Sequence, residues 1–208
     1  MATVLENITA AIKTGNRTQA VAGTEEALKQ GVKPDVILGA LIAGMDDVGV
    51  RFKGGQAFVP EVLIAARAMN ESMAKLAPAL VAAGHKPVAT AIIGTVQGDL
   101  HDIGKNLVAM MLKGANIEVI DLGVNVPAAK FVAAAQQHKP SIIALSALLT
   151  TTMPAMKGAI DALKGAGVTA KIMIGGAPVT QEYANEIGAH GYAPDAASAV
   201  DCARKMLA

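Results

Sequence analysis

The spacing of hydrophobic residues changes character close to residue 85. Before this point, apolar residues recur every three or four positions, which is typical of helices that bury one face. Glycine, asparagine and proline interrupt the pattern and mark the helix boundaries. It predicts four helices. The first contains Val4 to Ile12, the second runs from Arg17 to Gln30, the third begins at Pro34 and the fourth begins at Pro60. Four helices joined by short loops favour an antiparallel bundle.

The fourth predicted helix has the most regular apolar seam, in which spacings of four and three alternate. Its members are Val62, Ala66, Met69, Met73, Leu76 and Leu80. A glycine-containing connector over 51–59 precedes it and holds Phe52 and Phe58, two of the three phenylalanines in the chain. These rings either plug the end of the bundle or belong to a binding surface.

After Pro87, short β-branched runs alternate with helical segments. The runs predict strands over 88–94, 117–121, 141–146 and 171–174 and near Gly191. The intervening helices are expected to begin near Ile103, Pro127, Thr152, Thr180 and Asp195. Repeated strand–helix units predict a five-stranded parallel sheet covered on both faces. We therefore expect a helical domain over 1–84, a linker over 85–87 and an α/β domain over 88–208.

Composition narrows the class of protein without identifying a site. Hydrophobic residues make up 52% of the 208 positions and the net charge is +1, so a core forms readily and no basic patch favours nucleic acid. The single cysteine, Cys202, excludes an intrachain disulfide. The first residues show neither a basic segment nor a long apolar run, so we expect a soluble, cytoplasmic protein.

Ligands of parallel sheets bind beyond the carboxyl ends of the strands, so the loop over 94–106 is the first candidate site. Its glycines do not match the spacing of a dinucleotide fingerprint, and Gly104 and Lys105 lack the following Ser/Thr of a phosphate loop. A histidine, His101, lies between Asp99 and Asp102. Imidazole is the commonest metal ligand, and a carboxylate fixes its tautomer. The three side chains could instead hold a divalent metal by themselves, or the histidine could be structural.

Two further strand ends carry unusual residues. Hydroxyl groups follow the third strand over 146–152, where they either bind a buried polar ligand or cap a helix. Gly175 and Gly176 follow the fourth strand, where they either admit a flat group against the backbone or form a tight turn. Three such loops at one edge of a sheet favour a binding site.

These motifs together resemble a known family. The segment from Asp99 to Gly104 reads Asp-x-His-x-x-Gly, Ser146 to Leu148 reads Ser-x-Leu, and the glycine pair follows in order. This is similar to the cobalamin-binding signature of cobalamin-dependent methionine synthase and of the corrinoid proteins of methyltransferase systems. The helical half, including the stretch over 44–69, is similar to the helical cap of the same proteins. The resemblance implies a bundle cap followed by a flavodoxin/Rossmann-like domain.

The resemblance also implies a role for each motif residue. The cofactor is cobalamin, as methylcobalamin and cob(I)alamin, whose own benzimidazole leaves the cobalt so that His101 becomes the lower ligand. Asp99 hydrogen-bonds His101, and Thr152 completes the catalytic relay where methionine synthase has a serine. Proton uptake by Asp99 and His101 would then weaken the histidine–cobalt bond. The remaining cofactor-binding positions are Gly98, Leu100, Asp102, Ile103 and Gly104 in the motif loop, Ser146, Leu148 and Thr150 along the benzimidazole slot, Gly175 and Gly176 against the nucleotide, and Phe52 and Val59 in the cap over the corrin.

The implied function is that of a corrinoid methyl carrier, which is one subunit of a methyltransferase system and not a complete enzyme. Its partners would be a substrate-specific methyltransferase, of the O-demethylase or methylamine type, and a second methyltransferase to tetrahydrofolate or coenzyme M. A reductive activase is a further expected partner, whereas nucleic acid and membrane are not. The cap would shield the cobalt and swing aside about the linker. The alternative is a cobalamin-dependent sensor, but no DNA-reading module or basic charge supports it. A mutase small subunit usually lacks such a cap.

Overall fold

The computed structural model describes residues 2–208, which form nine helices and five strands in two compact units. The first unit contains the residues up to Pro87 together with Gly114–Asn116, and the second contains Val88–Lys113 and Ile117–Ala208. Within residues 2–208, every helix is too short or too polar to cross a membrane.

The first unit consists of four helices, as the periodicity predicts. They are α1 (Val4–Lys13), α2 (Arg17–Lys29), α3 (Pro34–Lys53) and α4 (Val59–Ala82). The pair α1 and α4 packs against both α2 and α3, so the apolar faces meet in one core. The largest side chains buried there are Ile8, Ile12, Ile37, Leu41, Met45, Met69 and Leu76.

Local chemistry explains where these helices begin and how closely they pack. Thr3 accepts a hydrogen bond from the Glu6 amide at 3.2 Å and starts α1. The Phe58 amide donates to the Glu61 carboxylate at 2.9 Å, so α4 begins at Val59, one residue before the predicted proline start. A Cβ on Gly44 would lie 2.5 Å from the Ile12 Cβ atom, so this glycine allows α1 and α3 to approach each other.

The second unit alternates strands and helices. The strands are β1 (Ala89–Thr95), β2 (Ile117–Asp121), β3 (Ile142–Ser146), β4 (Lys171–Gly175) and β5 (Gly191–Ala193). The helices are α5 (Ile103–Gly114), α6 (Ala128–His138), α7 (Met153–Gly165), α8 (Gln181–Ile187) and α9 (Ala196–Leu207). The prediction of β2 is confirmed at both ends, whereas β1 begins one residue later than predicted because Val88 is exposed and unpaired with β2.

The five strands form one parallel sheet in the order β2-β1-β3-β4-β5. This is the doubly wound order of flavodoxin-like domains, whose switch point lies between β1 and β3. The predicted fold class, a four-helix bundle followed by a Rossmann-like parallel sheet, is therefore confirmed.

The core of the second unit is aliphatic except for one aromatic ring. Phe131 of α6 is fully buried against the sheet. A Cβ on Gly94 of β1 would lie 2.8 Å from the Phe131 Cζ atom, so the glycine makes room for the ring. The surrounding buried side chains include Ile92, Ile143, Leu145, Ile160, Leu163, Ile172 and Ile174. A well-packed sheet of this kind gives the loops at its edge a rigid base.

A candidate corrinoid site at the switch point

The candidate site lies where β1 and β3 end side by side. Thr95, the last residue of β1, is in register with Ser146, the last residue of β3. The loop after β1 carries Asp99 and His101, and the loop after β3 leads to Thr152 at the N-terminus of α7. Adjacent parallel strands at a switch point diverge into helices on opposite faces, which opens a crevice for a ligand. The sheet topology thus brings together three residues that are far apart in sequence.

The carboxylate of Asp99 is the centre of this site, because its side chain is fully buried and accepts hydrogen bonds on both oxygens. Its Oδ1 atom accepts from the His101 amide at 3.0 Å and pairs with the His101 Nδ1 atom at 2.7 Å. Its Oδ2 atom accepts from the Leu148 amide at 2.7 Å and the Thr152 hydroxyl at 2.7 Å, with the Leu149 amide more distant at 3.3 Å. Both strand-end loops are therefore joined through one side chain.

Burial by itself would raise the pKa of Asp99, since it disfavours the charged form. The hydrogen bonds from the Leu148 and His101 amides, the Thr152 hydroxyl and the His101 ring act in the opposite direction and outweigh burial. They hold the pKa of Asp99 well below its ordinary range. Asp99 is consequently a carboxylate at neutral pH, and it offers no proton to its neighbours.

This ionisation state fixes the tautomer of His101. A carboxylate can only accept hydrogen bonds, so the Nδ1 atom at 2.7 Å must carry a proton. The neutral ring then has its lone pair on Nε2, which has no hydrogen-bond partner among residues 2–208. The side chain of His101 is 51% exposed, so this lone pair is accessible to a ligand. The Thr95 hydroxyl donates to the His101 carbonyl at 2.9 Å and holds the backbone at the same point.

Thr152 is the third member of the predicted relay and is buried. Its hydroxyl oxygen lies 2.7 Å from Asp99 Oδ2 and 2.8 Å from the Leu149 carbonyl oxygen. A hydroxyl has one proton, so it can donate to only one of these two acceptors at a time. The geometry therefore gives threonine the same access to the carboxylate that the resemblance assigns to serine.

Neither a metal site built from protein side chains alone nor a phosphate loop fits the motif loop. Asp102 accepts from the Asn106 side chain at 3.1 Å, and no three His, Cys, Asp or Glu side chains within residues 2–208 are grouped to hold a metal ion. Lys105 is 3% exposed and donates to Asp121, so it is unavailable to a phosphate group. A metal held by protein ligands alone and a phosphate loop are both unlike the observed arrangement.

Exposed apolar side chains lie around His101. Leu100 and Ile103 are 69% and 78% exposed, and Leu148 of the neighbouring loop is 41% exposed. A Cβ placed on Gly104 would meet nothing within 4 Å, so this position faces open space. Ser146 is half-buried at the strand end and Thr150 is exposed beyond it. A large ligand with apolar faces would fit such a surface better than a small polar one.

The paired glycines have a different explanation from the one the sequence favours. A Cβ on Gly176 would lie 1.8 Å from the Ala147 carbonyl oxygen, and its φ of +133° also requires glycine. A Cβ on Gly175 would lie 3.0 Å from the Ala193 carbonyl oxygen. Both glycines are thus needed by neighbouring backbone, as in the tight-turn interpretation. A role against a nucleotide stays a prediction.

The two cap positions lie in the first unit. Phe52 is half-buried near the C-terminus of α3, and Val59 is 38% exposed at the first turn of α4. Phe58 is 65% exposed, so the interpretation that both rings plug the bundle is wrong for this residue. Exposed apolar residues at one end of a bundle suit a contact surface.

Several residues that support the site were not predicted from the sequence. Thr95 is fully buried and holds the His101 carbonyl, and Asn125 binds Gly98 and Asp99 from the loop after β2. Lys105 of α5, which is buried, forms an ion pair with Asp121 at the end of β2, whose side chain is 37% exposed. The only available signal was the position of Asp121 at a strand end, because each role depends on contacts between distant segments.

A helical unit followed by a Rossmann-like unit, in which an Asp-x-His-x-x-Gly loop presents a free ring nitrogen at the switch point, is the arrangement of a cobalamin-binding protein. Comparison with known proteins gives the same class. Two family models, both described as a B12 binding domain, match residues 89–201 and residues 4–77.

Individual relatives cover nearly the whole chain. The chain is 45% identical to trimethylamine corrinoid protein 1 of Methanosarcina acetivorans, with 88% of this chain and 87% of that protein covered. It is 40% identical to dimethylamine corrinoid protein 1 of the same organism, with 99% and 98% covered. The solved methanol:cobalamin methyltransferase complex of Methanosarcina barkeri matches with a TM-score of 0.88 and 33% identity, covering 98% of this chain and 79% of that one. A cobalamin-binding protein from Desulfitobacterium hafniense matches with a TM-score of 0.83 and 30% identity, covering 97% and 98%.

The chain belongs to the B12-binding domain family, as a corrinoid protein of a methyltransferase system. The resemblance drawn from the motifs and the prediction of a cobalamin cofactor are confirmed.

Proposed function

We propose that this chain carries a methyl group on a cobalamin that is bound with its own benzimidazole displaced and with His101 as the lower axial ligand. The observation that carries the proposal is the hydrogen bond of 2.7 Å between His101 Nδ1 and the buried Asp99 carboxylate. A histidine that donates from Nδ1 keeps its lone pair on Nε2, which is the atom a metal requires. When bound, the corrinoid supplies a cobalt that accepts and releases the methyl group.

The residues around His101 suit this cofactor. The exposed side chains of Leu100, Ile103 and Leu148 would contact the apolar faces of a corrin, and Gly104 would leave space for the nucleotide tail. We further assign Ser146 and Thr150 to the benzimidazole slot. Gly98, Asp102, Gly175 and Gly176 complete the binding loops, and Phe52 and Val59 of the helical unit would cover the corrin.

The low pKa of Asp99 refines the expected role of the relay. Because the pKa of Asp99 is lowered, this side chain is a charged hydrogen-bond acceptor for the His101 ring at neutral pH and not a proton donor to it. The Thr152 hydroxyl would stabilise the Asp99 charge by donating to Oδ2, or would release it by turning toward the Leu149 carbonyl. We therefore regard Asp99 and Thr152 as residues that position His101 and fix its tautomer.

The methyl donor that we favour is a methylamine. This choice rests on the identities of 45% and 40% with proteins named for trimethylamine and dimethylamine. The partners would be a methylamine-specific methyltransferase and a second methyltransferase to coenzyme M or tetrahydrofolate, with a reductive activase to restore the cofactor.

The axial-ligand proposal is tested by His101→Ala, with His138→Ala as a matched control. His138 lies at the C-terminus of α6, on the opposite edge of the sheet from His101. We expect the visible spectrum of bound methylcobalamin to lose its histidine-coordinated form only in His101→Ala. An unchanged spectrum in that variant would contradict the proposed ligand.

The choice of donor is tested separately by reconstitution. The chain loaded with cobalamin would be combined in turn with purified trimethylamine, dimethylamine and methanol methyltransferases and the matching substrate. We expect methylation of the bound cofactor with an amine and not with methanol. Efficient methylation by the methanol enzyme alone would refute the methylamine assignment.

A further inference from the structure

Asn125 contacts the motif loop from the neighbouring loop, which connects β2 to α6. Its side-chain Oδ1 atom accepts a hydrogen bond from the Gly98 amide at 2.8 Å. Its own amide donates to the Asp99 carbonyl oxygen at 2.9 Å. One residue thus holds the backbone immediately before His101 at two points.

The two bonds flank the point of the motif loop where the backbone needs a glycine. Gly98 has a φ of +86°, a region that glycine enters freely, and a glycine backbone has more conformations to lose than any other residue. The bonds run from the Gly98 amide to the Asp99 carbonyl, so they fix the φ and ψ angles of both residues. Without them, the Asp99 backbone would have only the Val96 carbonyl, at 3.1 Å from its amide, to hold it.

The residue type suits this position for a physical reason. Asn125 has a φ of +51°, in the left-handed region where asparagine is several-fold enriched among residues other than glycine. The side chain also supplies the carbonyl oxygen that the Gly98 amide needs. A glycine at 125 would keep the backbone conformation but lose this acceptor, which separates the two contributions experimentally.

The loop that carries Asn125 is itself anchored. The buried Lys105 of α5 donates to Asp121 Oδ2, and Asp121 Oδ1 accepts from the Gly123 amide at 2.8 Å. The Gly123 carbonyl accepts from the Thr95 amide at 3.0 Å. The end of β2 is therefore tied both to the first turn of α5 and to the end of β1, so Asn125 acts from a fixed point.

We propose that Asn125 is a positioning residue for the axial ligand, which holds the Gly98–Asp99 backbone so that His101 is presented in one orientation. This inference rests on the proposed role of His101 as the cobalt ligand. Asp99 would then be held by two separate neighbours. The loop after β3 binds its carboxylate and Asn125 binds its backbone. Ligand orientation by outer contacts of this kind commonly affects metal affinity by about 10–100-fold.

The first measurement needs no cofactor. Amide hydrogen exchange of Gly98 is compared in the wild-type protein, Asn125→Gly and Asn125→Asp. We expect Gly98 to exchange about tenfold faster or more in the glycine variant, because its only acceptor is lost. The aspartate variant retains an oxygen at the same position and should restore the protection. Equal exchange in all three proteins would overturn the proposal, since the bond would not order the loop.

The second measurement uses bound methylcobalamin. In Asn125→Gly we expect the ratio of histidine-coordinated to uncoordinated cofactor to fall about tenfold, the lower end of the range for outer contacts, and Asn125→Asp to restore it. Lys139→Gly is the matched control, because Lys139 also has a positive φ, +46°, but lies at the amino end of β3. It should leave the ratio unchanged.

Failure of this inference differs from failure of the axial-ligand proposal. If His101→Ala leaves the spectrum unchanged, the ligand assignment itself is wrong. If His101→Ala abolishes coordination while Asn125→Gly accelerates Gly98 exchange without changing the coordinated fraction, His101 is the ligand and Asn125 is not needed to position it.

Discussion

Replacement of Asp99 by asparagine tests how the site selects one histidine tautomer. The carboxylate accepts five hydrogen bonds, from the His101 amide and ring on one oxygen and from Leu148, Leu149 and Thr152 on the other. An asparagine of the same shape has one oxygen and one NH₂ group. In either orientation, the NH₂ group must face a donor.

The less costly orientation places the amide oxygen toward Leu148 and Thr152. The NH₂ group then meets the His101 amide, which loses its acceptor, at a cost of about 1–3 kcal/mol for a buried donor. The remaining bonds lose the contribution of the charge, which adds roughly 1 kcal/mol, because hydrogen bonds to ions are about twice as strong as neutral ones. We expect a destabilisation of about 2–4 kcal/mol. In this orientation the His101 Nδ1 atom accepts from the NH₂ group, so the ring proton moves to Nε2.

Urea unfolding of the cofactor-free protein measures the first effect. The chain has no tryptophan, and its two tyrosines, Tyr183 and Tyr192, lie in the second unit, so tyrosine fluorescence reports the unfolding of that unit alone. Asp161→Asn is the control, because Asp161 is 56% exposed and pairs only with Lys157 on the surface of α7. Such a surface pair contributes about 0–1 kcal/mol.

Nitrogen NMR of the His101 ring measures the second effect, the exchange of the Nδ1–H tautomer for the Nε2–H tautomer. The pH dependence provides an independent check. The folded-state pKa of Asp99 lies below its ordinary value of 3.8, so its contribution to stability is present above pH 3.8 and is lost as the pH falls below it. The asparagine variant should lack this loss. A variant that keeps both the wild-type stability within about 0.5 kcal/mol and the Nδ1–H tautomer would refute the reasoning.

Two further predictions concern glycines and a distant histidine. Gly104→Ala should weaken cobalamin binding and leave the cofactor-free protein equally stable or up to about 1 kcal/mol more stable. In Gly176→Ala the new Cβ would lie 1.8 Å from the Ala147 carbonyl oxygen, so this variant should destabilise the protein by about 3 kcal/mol or more. Urea unfolding and cobalamin titration distinguish the pair, and equal effects would contradict the geometry. Burial, Lys171 and Lys164 lower the pKa of His190 below 6.5, and its Nδ1 atom accepts from the Ile172 amide at 3.0 Å. Stability should therefore fall as the pH drops below 6.5, less so in His190→Gln, and a pH-independent stability between 5 and 7 by urea unfolding would exclude this role.

The sequence predicted the elements well because their signals are local. The strand over 117–121 ends where expected, and α4 begins one residue early only because the Glu61 carboxylate accepts from the Phe58 amide. The motif loop was also readable, since Asp99 and His101 are separated by one residue and belong to a known pattern. Periodicity and short motifs carry this information within single segments.

Contacts between distant segments could not be predicted from the sequence in this way. Asn125 is one polar residue in a loop, and nothing in its neighbours along the chain indicates that it binds Gly98. Gly176 illustrates an alternative that the sequence leaves open. A glycine at a strand end is equally compatible with a ligand and with protein backbone, and here the Ala147 carbonyl occupies the space. Which atom fills a space is a property of the packed structure, so a pattern in the sequence leaves it open.

The position of Asp99 at the switch point explains how one aspartate can orient the His101 ring. Asp99 follows β1, an interior strand of the sheet, so it has β2 on one side and β3 on the other. Two amides and a hydroxyl of the loop after β3 donate to the Asp99 carboxylate and offset the cost of burying its charge. The loop after β2 fixes the Asp99 backbone through Asn125. An edge strand would have offered only one such neighbour. Because both oxygens are occupied by donors, the carboxylate stays charged, and a charged carboxylate leaves His101 no choice of tautomer. The ring nitrogen that is left free to bind a metal is therefore set by the order of the strands as much as by the histidine itself.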